Sequence, residues 1–157
     1  MVEETNTEPK IMPRGVIPER AASGRNMIAV ASGKGGVGKT WFSITLSQAL
    51  AGYKQRVLLF DGDLGLANVD IQLGLMVEHD LGDVISGEKT LNQVITHSDK
   101  GRFDVIAGRS GSAGLSSMPI GRLQILGEDL NLVSTNYDKV ILDMGAGVEK
   151  PIRILSS

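Results

Sequence analysis

Eight consecutive residues, Gly33-Lys34-Gly35-Gly36-Val37-Gly38-Lys39-Thr40, satisfy two nucleotide-binding spacings at once. Gly33, Gly35 and Gly38 fit G-x-G-x-x-G, a turn that lets backbone approach the pyrophosphate of a dinucleotide. Gly33, Gly38, Lys39 and Thr40 fit G-x-x-x-x-G-K-[ST], a loop whose amides cradle a nucleoside triphosphate. The dinucleotide reading uses Asp61 for ribose hydroxyls and leaves Lys39 and Thr40 without work. The triphosphate reading employs them all: the amides of Gly35 to Thr40 hold phosphate, Lys39 neutralises the β and γ groups, and Thr40 offers its hydroxyl to Mg2+. It also requires a carboxylate for the metal, and Asp143 closes the apolar run Val140 to Leu142 where one is wanted. A second acidic pair, Asp61 and Asp63, follows the apolar run Val57 to Phe60. A carboxylate there, facing a polyphosphate, can orient water for in-line attack, or Asp63 can simply turn the chain before Leu64.

These residues need a strand before the loop and a helix after it. Met27 to Ala31 is a short apolar run, and Thr40 to Ala51 reads as a helix with Leu46, Ala49 and Leu50 on one face and Gly52 at its end. Val57 to Phe60 is continuous enough for a strand buried on both faces of a parallel sheet. The sequence thus lays down β-α-β around the glycine loop. Short helices are expected at Asn68 to Leu75 and Leu81 to Ile85, a third strand at Phe103 to Ala107, a helix at Ile120 to Leu132 and a fourth strand at Val140 to Leu142. The Gly/Ser-rich stretch from Gly108 to Ser117 reads as a mobile loop. Residues 1–26 have no apolar periodicity and read as a flexible tail, leaving 27–157 as the nucleotide-binding domain. The expected class is α/β, a phosphate-loop NTPase fold with a mainly parallel sheet flanked by helices.

Bulk composition narrows the function. The 157 residues are 41% hydrophobic and 22% charged, with a formal charge of −2, so nothing attracts nucleic acid or anionic lipid non-specifically. Cysteine is absent, which removes disulfides, thiolate metal sites and cysteine nucleophiles. No apolar run approaches the roughly eighteen residues of a membrane span, and no signal-peptide pattern opens the chain, so a cytoplasmic location is expected. His79 and His97 lack partners at catalytic or metal spacing and read as surface residues. Trp41, the only tryptophan, adjoins the phosphate loop and is counted with the nucleotide-binding residues, its ring expected to pack in the core beneath the first helix.

Lys34 sharpens this reading. A phosphate loop needs only the later lysine, and the full Gly-Lys-Gly-Gly-Val-Gly-Lys-Thr string resembles the deviant Walker A ATPases of the MinD/ParA family. That resemblance implies an ATP-sandwiched homodimer in which Lys34 reaches the partner's nucleotide. It also implies that Asp61 lies near the metal, that Asp63 positions the attacking water, and that Asp143 holds Mg2+ through a water. "DGDLGLANVDIQLGL" and "DMGAG" look most like the flagellar-number regulators FlhG/FleN, then MinD. In partition ATPases and MinD a proline usually follows the second aspartate, where this chain has Met144-Gly145-Ala146-Gly147. The implied function is Mg-dependent ATP binding and slow hydrolysis, a dimerisation switch for spatial regulation of flagella or the division site, with a protein partner from that machinery. Plasmid or chromosome partition is the alternative within the family; an NAD-dependent oxidoreductase and a nucleotide-free interaction module are the alternatives outside it. The resemblance runs from Asn26 to Arg153, and members of the family continue further, so a C-terminally truncated chain is expected. The base-binding loop and any peripheral membrane tether would lie beyond it.

Overall fold

The computed structural model describes residues 26–111, 114–145 and 149–155. The expected N-terminal tail therefore lies outside the described residues except for Asn26, whose side-chain amide donates to the carbonyls of Ser134 (2.9 Å) and Tyr137 (3.1 Å). The described residues form, in order, β1 (Met27–Val30), α1 (Lys39–Gly52), β2 (Val57–Asp61), α2 (Val69–Leu73), α3 (Leu81–Ser86), a 3-10 turn (Leu91–Val94), β3 (Ile95–Ser98), β4 (Phe103–Ile106), a 3-10 turn (Leu115–Ser117), α4 (Ile120–Ser134), β5 (Lys139–Asp143) and α5 (Glu149–Leu155).

The strands form one sheet in the order β1-β5-β2-β4-β3. All neighbours are parallel except β3, which runs antiparallel to β4. Every residue of β2 is buried, as its unbroken apolar run requires of a central parallel strand. Strand side chains alternate between faces, so one strand feeds two cores. Leu58 and Phe60 join Val140 and Leu142 beneath Leu123, Leu126, Leu130 and Val133 of α4. Val57 and Leu59 join Ile141, Phe103 and Val105 beneath Ile44 and Ala51 of α1 and Val69 and Leu73 of α2. Leu123, Leu126, Leu130 and Val133 recur every three or four residues, the spacing of one helical face.

The expected elements all form, with corrections. The face of α1 against the sheet is Ser43, Ile44, Ser47 and Ala51, while Leu46 and Leu50 are only partly buried and Ala49 is exposed. The rotation follows from two hydroxyls: Ser43 bonds Asp143, and Ser47 bonds the Ser43 carbonyl at 2.8 Å, so small polar residues fill the position expected for leucines. Trp41 and Phe42 therefore turn outward, 67% and 52% exposed, and Trp41 is not core packing. Gly52 is the last residue of α1, as expected, and the left-handed residue that redirects the chain is Lys54, at φ 63°. Strand β3 and helix α5 were not anticipated. The four residues Ile-Thr-His-Ser of β3 are too short and too polar to show a period.

The stretch expected to be a mobile loop is tied down on both sides of residues 112 and 113, which lie outside the described residues. Arg109 donates to Asp80 at 3.0 Å and to Asp83, Ser110 donates to the Ala67 carbonyl, and Leu115 is buried. Asp80 caps α3 reciprocally with Asp83, so Arg109 ties that cap to the loop after β4. The Asp80 amide and then the Arg109 guanidinium hold the Asp83 carboxyl below the usual carboxylate range. A lowered carboxyl contributes stability above its ordinary pKa and loses it on acidification. Arg109→Gln is expected to lower the thermal midpoint modestly, to lessen that acid dependence, and to speed hydrogen exchange in Leu81–Ser86, measured by exchange mass spectrometry.

Candidate functional site

The site lies at the carboxyl ends of β1, β5 and β2, where a parallel sheet presents its loops together. The phosphate-loop motif leaves β1 and enters α1 at Gly38, whose left-handed backbone (φ 91°) starts the helix; Gly36 is also left-handed, at φ 73°. Those two values explain why glycine is needed there. A side chain built at Gly33, Gly35, Gly36 or Gly38 would meet nothing within 4 Å, so the loop's surface is open. Lys34 and Val37 are exposed, Lys39 and Thr40 half-buried.

Asp61 and Asp143 are partners in the register of β2 and β5, and each is 1% exposed. Two carboxylates at adjacent strand ends are costly in a dry environment. Burial pushes Asp61 up to about 7, and the Asp143 charge adds to the rise, against hydrogen bonds from backbone N–H groups. Those bonds come from Val69 (3.3 Å) and Asp63 (3.2 Å), one to each oxygen, so Asp61 shapes the turn that carries Asp63. Burial likewise raises Asp143, while the Thr40 and Ser43 hydroxyls and the Lys39 charge oppose it. The Ser43 hydroxyl donates to Asp143 Oδ1 at 3.0 Å, whereas Asp143 Oδ2 is buried without a hydrogen-bond partner.

That orphaned oxygen is the test of whether Mg2+ fits. A hydrated dication beside Thr40 would satisfy Oδ2 through water and relieve the repulsion between Asp61 and Asp143. Among the described residues no group of three or more His, Asp or Glu side chains could hold a metal unaided. This suits Mg2+, which takes one or two protein groups, several waters and substrate phosphates rather than an all-protein cage.

Both raised pKa values carry the same linkage. A carboxyl whose pKa is higher folded than unfolded binds protons on folding, so stability is greatest at acid pH and lost as pH rises through the folded value. Without metal or nucleotide, the denaturation midpoint is expected to fall between about pH 5 and 8. Asp143→Asn should flatten that fall and stabilise the ligand-free chain at neutral pH while removing the benefit of added Mg-ATP, read from urea titrations with and without the ligand.

Sequence reasoning located Lys39, Thr40, Asp61 and Asp143 in one place, and the structure brings them together. It missed Ser43, one turn beyond Thr40 on the same helix, although that spacing was visible. It also missed Gly108, where a Cβ would fall 2.9 Å from the Asp61 carbonyl and 2.8 Å from Ala67; no sequence pattern marks that contact. Ala146 and Gly147, at the end of the Met144-Gly145-Ala146-Gly147 string, lie outside the described residues. His79 is half-buried and pairs with Asp83 at 3.3 Å, and His97 is exposed and pairs with Asp104 at 2.7 Å.

Among the described residues no helix is long and apolar enough to cross a membrane. The AAA domain family (AAA_31) matches residues 25–149. Antiactivator FleN of Pseudomonas aeruginosa is 39% identical over 122 residues, covering 78% of this chain and 43% of FleN. Septum site-determining protein MinD of Bacillus subtilis is 37% identical over 125 residues, covering 78% of this chain and 46% of MinD. Among solved structures, MinD from Pyrococcus horikoshii complexed with Mg-ADP superposes with a TM-score of 0.71 at 30% identity, covering 84% of this chain and 54% of that one. The chain spans less than half the length of the two curated relatives just described. With its five-stranded sheet, its phosphate loop and these matches, the chain belongs to the AAA domain family and to the MinD/ParA family.

Proposed function

We propose that this chain binds Mg-ATP in the Gly33–Thr40 loop and hydrolyses it slowly, as the switch of a site-determining protein for flagella or the division septum. The orphaned, buried Asp143 Oδ2 beside Ser43, one helical turn beyond Thr40, is the observation that carries the reading. The backbone amides of Gly35 to Thr40 and the head of α1 bind phosphate. Lys39 offsets the charge on the β and γ groups, and Thr40 and Asp143 hold Mg2+, with Asp61 beside it. The metal supplies neutralisation of the phosphate oxygens as charge develops on them. Asp63, on the turn that Asp61 shapes, orients the attacking water, and Lys34, exposed on the same loop, is free to reach a nucleotide held by a second copy.

The similarity to FleN and MinD supports a homodimer formed on ATP binding and a protein partner in one of those two machineries. The dinucleotide alternative loses its ribose acid, because Asp61 is 1% exposed with both oxygens engaged by backbone N–H groups. Titrating the outward-facing Trp41 by fluorescence with Mg-ATP, with ATP plus chelator, and with NADH tests the reading. Saturable quenching or enhancement by Mg-ATP alone supports it; a response to NADH but not Mg-ATP would overturn it.

A further inference from the structure

Asp63 and Gly145 occupy one space. A Cβ built on Gly145 would lie 2.9 Å from Asp63 Oδ1, 3.0 Å from Cγ and 3.3 Å from Oδ2. Gly145 is buried, and its backbone is outside the left-handed region, so glycine is not required there by backbone conformation. The Asp63 carboxylate sits where a side chain at 145 would begin.

Both segments are held by backbone hydrogen bonds next to these two residues. The Gly62 N–H donates to the Asp143 carbonyl at 2.8 Å, and the Met144 N–H donates to the Val30 carbonyl at 3.0 Å. A Cβ on Gly62 would in turn lie 2.7 Å from the Met144 sulfur and 3.3 Å from the Asp143 carbonyl oxygen. The segment after β2 therefore lies directly on the segment after β5. Rotation of the Asp63 side chain relieves such a clash cheaply for the fold and moves the carboxylate.

We infer that Gly145 is a positioning residue for Asp63: its missing side chain forms the seat that holds the carboxylate, so the segment after β5 sets the aim of the segment after β2. This rests on the hydrolytic reading of Asp63 given above. Binding of phosphate and metal uses other atoms, so position 145 should control turnover and not affinity.

The test is Gly145→Ala, made in the chain as it stands and in the Asp63→Ala background. Gly145→Ala is expected to bind Mg-ATP within about threefold of wild type, by Trp41 fluorescence, and to release phosphate in single turnover at least tenfold more slowly. Asp63→Ala/Gly145→Ala should be no slower than Asp63→Ala alone, because the second change has nothing left to displace. A crystal structure of nucleotide-free Gly145→Ala should show the carboxylate rotated off residue 145 with the backbone of residues 61–63 unmoved. Wild-type turnover in Gly145→Ala, additive losses in the double variant, or a carboxylate still in its seat would each overturn the inference. Should Gly145→Ala fail to fold, the double variant must fold, and its failure would also count against the seat. If wild type itself does not turn over ATP, the hydrolytic reading fails, whereas the crystal structures still decide whether Gly145 seats Asp63.

Discussion

Lys39→Ala is expected to weaken Mg-ATP binding by about 100-fold or more, a loss on the order of 3 kcal/mol, with little change in the thermal midpoint of the ligand-free chain. Lys39 opens α1 and is half-buried, so its ammonium is only partly screened by water where it faces phosphate. Charge-assisted contacts to two phosphate groups are each stronger than neutral hydrogen bonds. In the ligand-free chain the same charge pulls the raised Asp143 pKa back down, so its removal also leaves Asp143 more readily protonated. Isothermal titration at two salt concentrations checks both magnitude and origin: the difference between wild type and variant should narrow as salt rises. Equal affinity of the two proteins would remove the triphosphate reading of the loop.

The second large effect is on chemistry. Asp63→Ala should slow phosphate release by roughly 100-fold or more while Mg-ATP affinity stays near wild type. The separation follows from where the carboxylate is. Asp61 and Asp143 are buried at the strand ends, but Asp63 lies two residues past β2 and is half-buried, able to reach a water outside the metal-binding pair. A water-orienting group acts in the transition state, so its loss lowers turnover without weakening ground-state binding. Single-turnover phosphate release alongside fluorescence titration separates the two quantities. If affinity falls as far as turnover, Asp63 serves the nucleotide or the metal and not the water.

Much of this site was legible because its signals are local. The phosphate loop is contiguous, and its glycines are demanded by backbone conformation at Gly36 and Gly38. Asp61 and Asp143 each close an apolar run, and an apolar run read as a buried parallel strand places its terminal acid at the loop end of the sheet. The orientation of α1 was not legible. Leucines at Leu46 and Leu50 have the right period for a core face, but a buried Asp143 draws Ser43 inward and turns Trp41 outward. Periodicity weighs side chains by hydrophobicity alone and cannot see a hydrogen bond to a strand a hundred residues away. The same limit hid β3, held by pairing with β4, and the anchoring of the loop after β4 through Arg109 and Ser110.

The amino-acid sequence by itself determined the phosphate-gripping turn, the strands on either side of it and the acids that end them, because each follows from neighbours a few residues apart. Tertiary structure alone decided that Asp61 and Asp143 stand side by side in register, that Asp143 keeps one oxygen without a hydrogen-bond partner, and that Asp63 rests against Gly145. Those are facts of strand order and close approach. Strand order is set by how two apolar faces are shared between α1, α2 and α4, a choice made by packing between segments far apart in the chain.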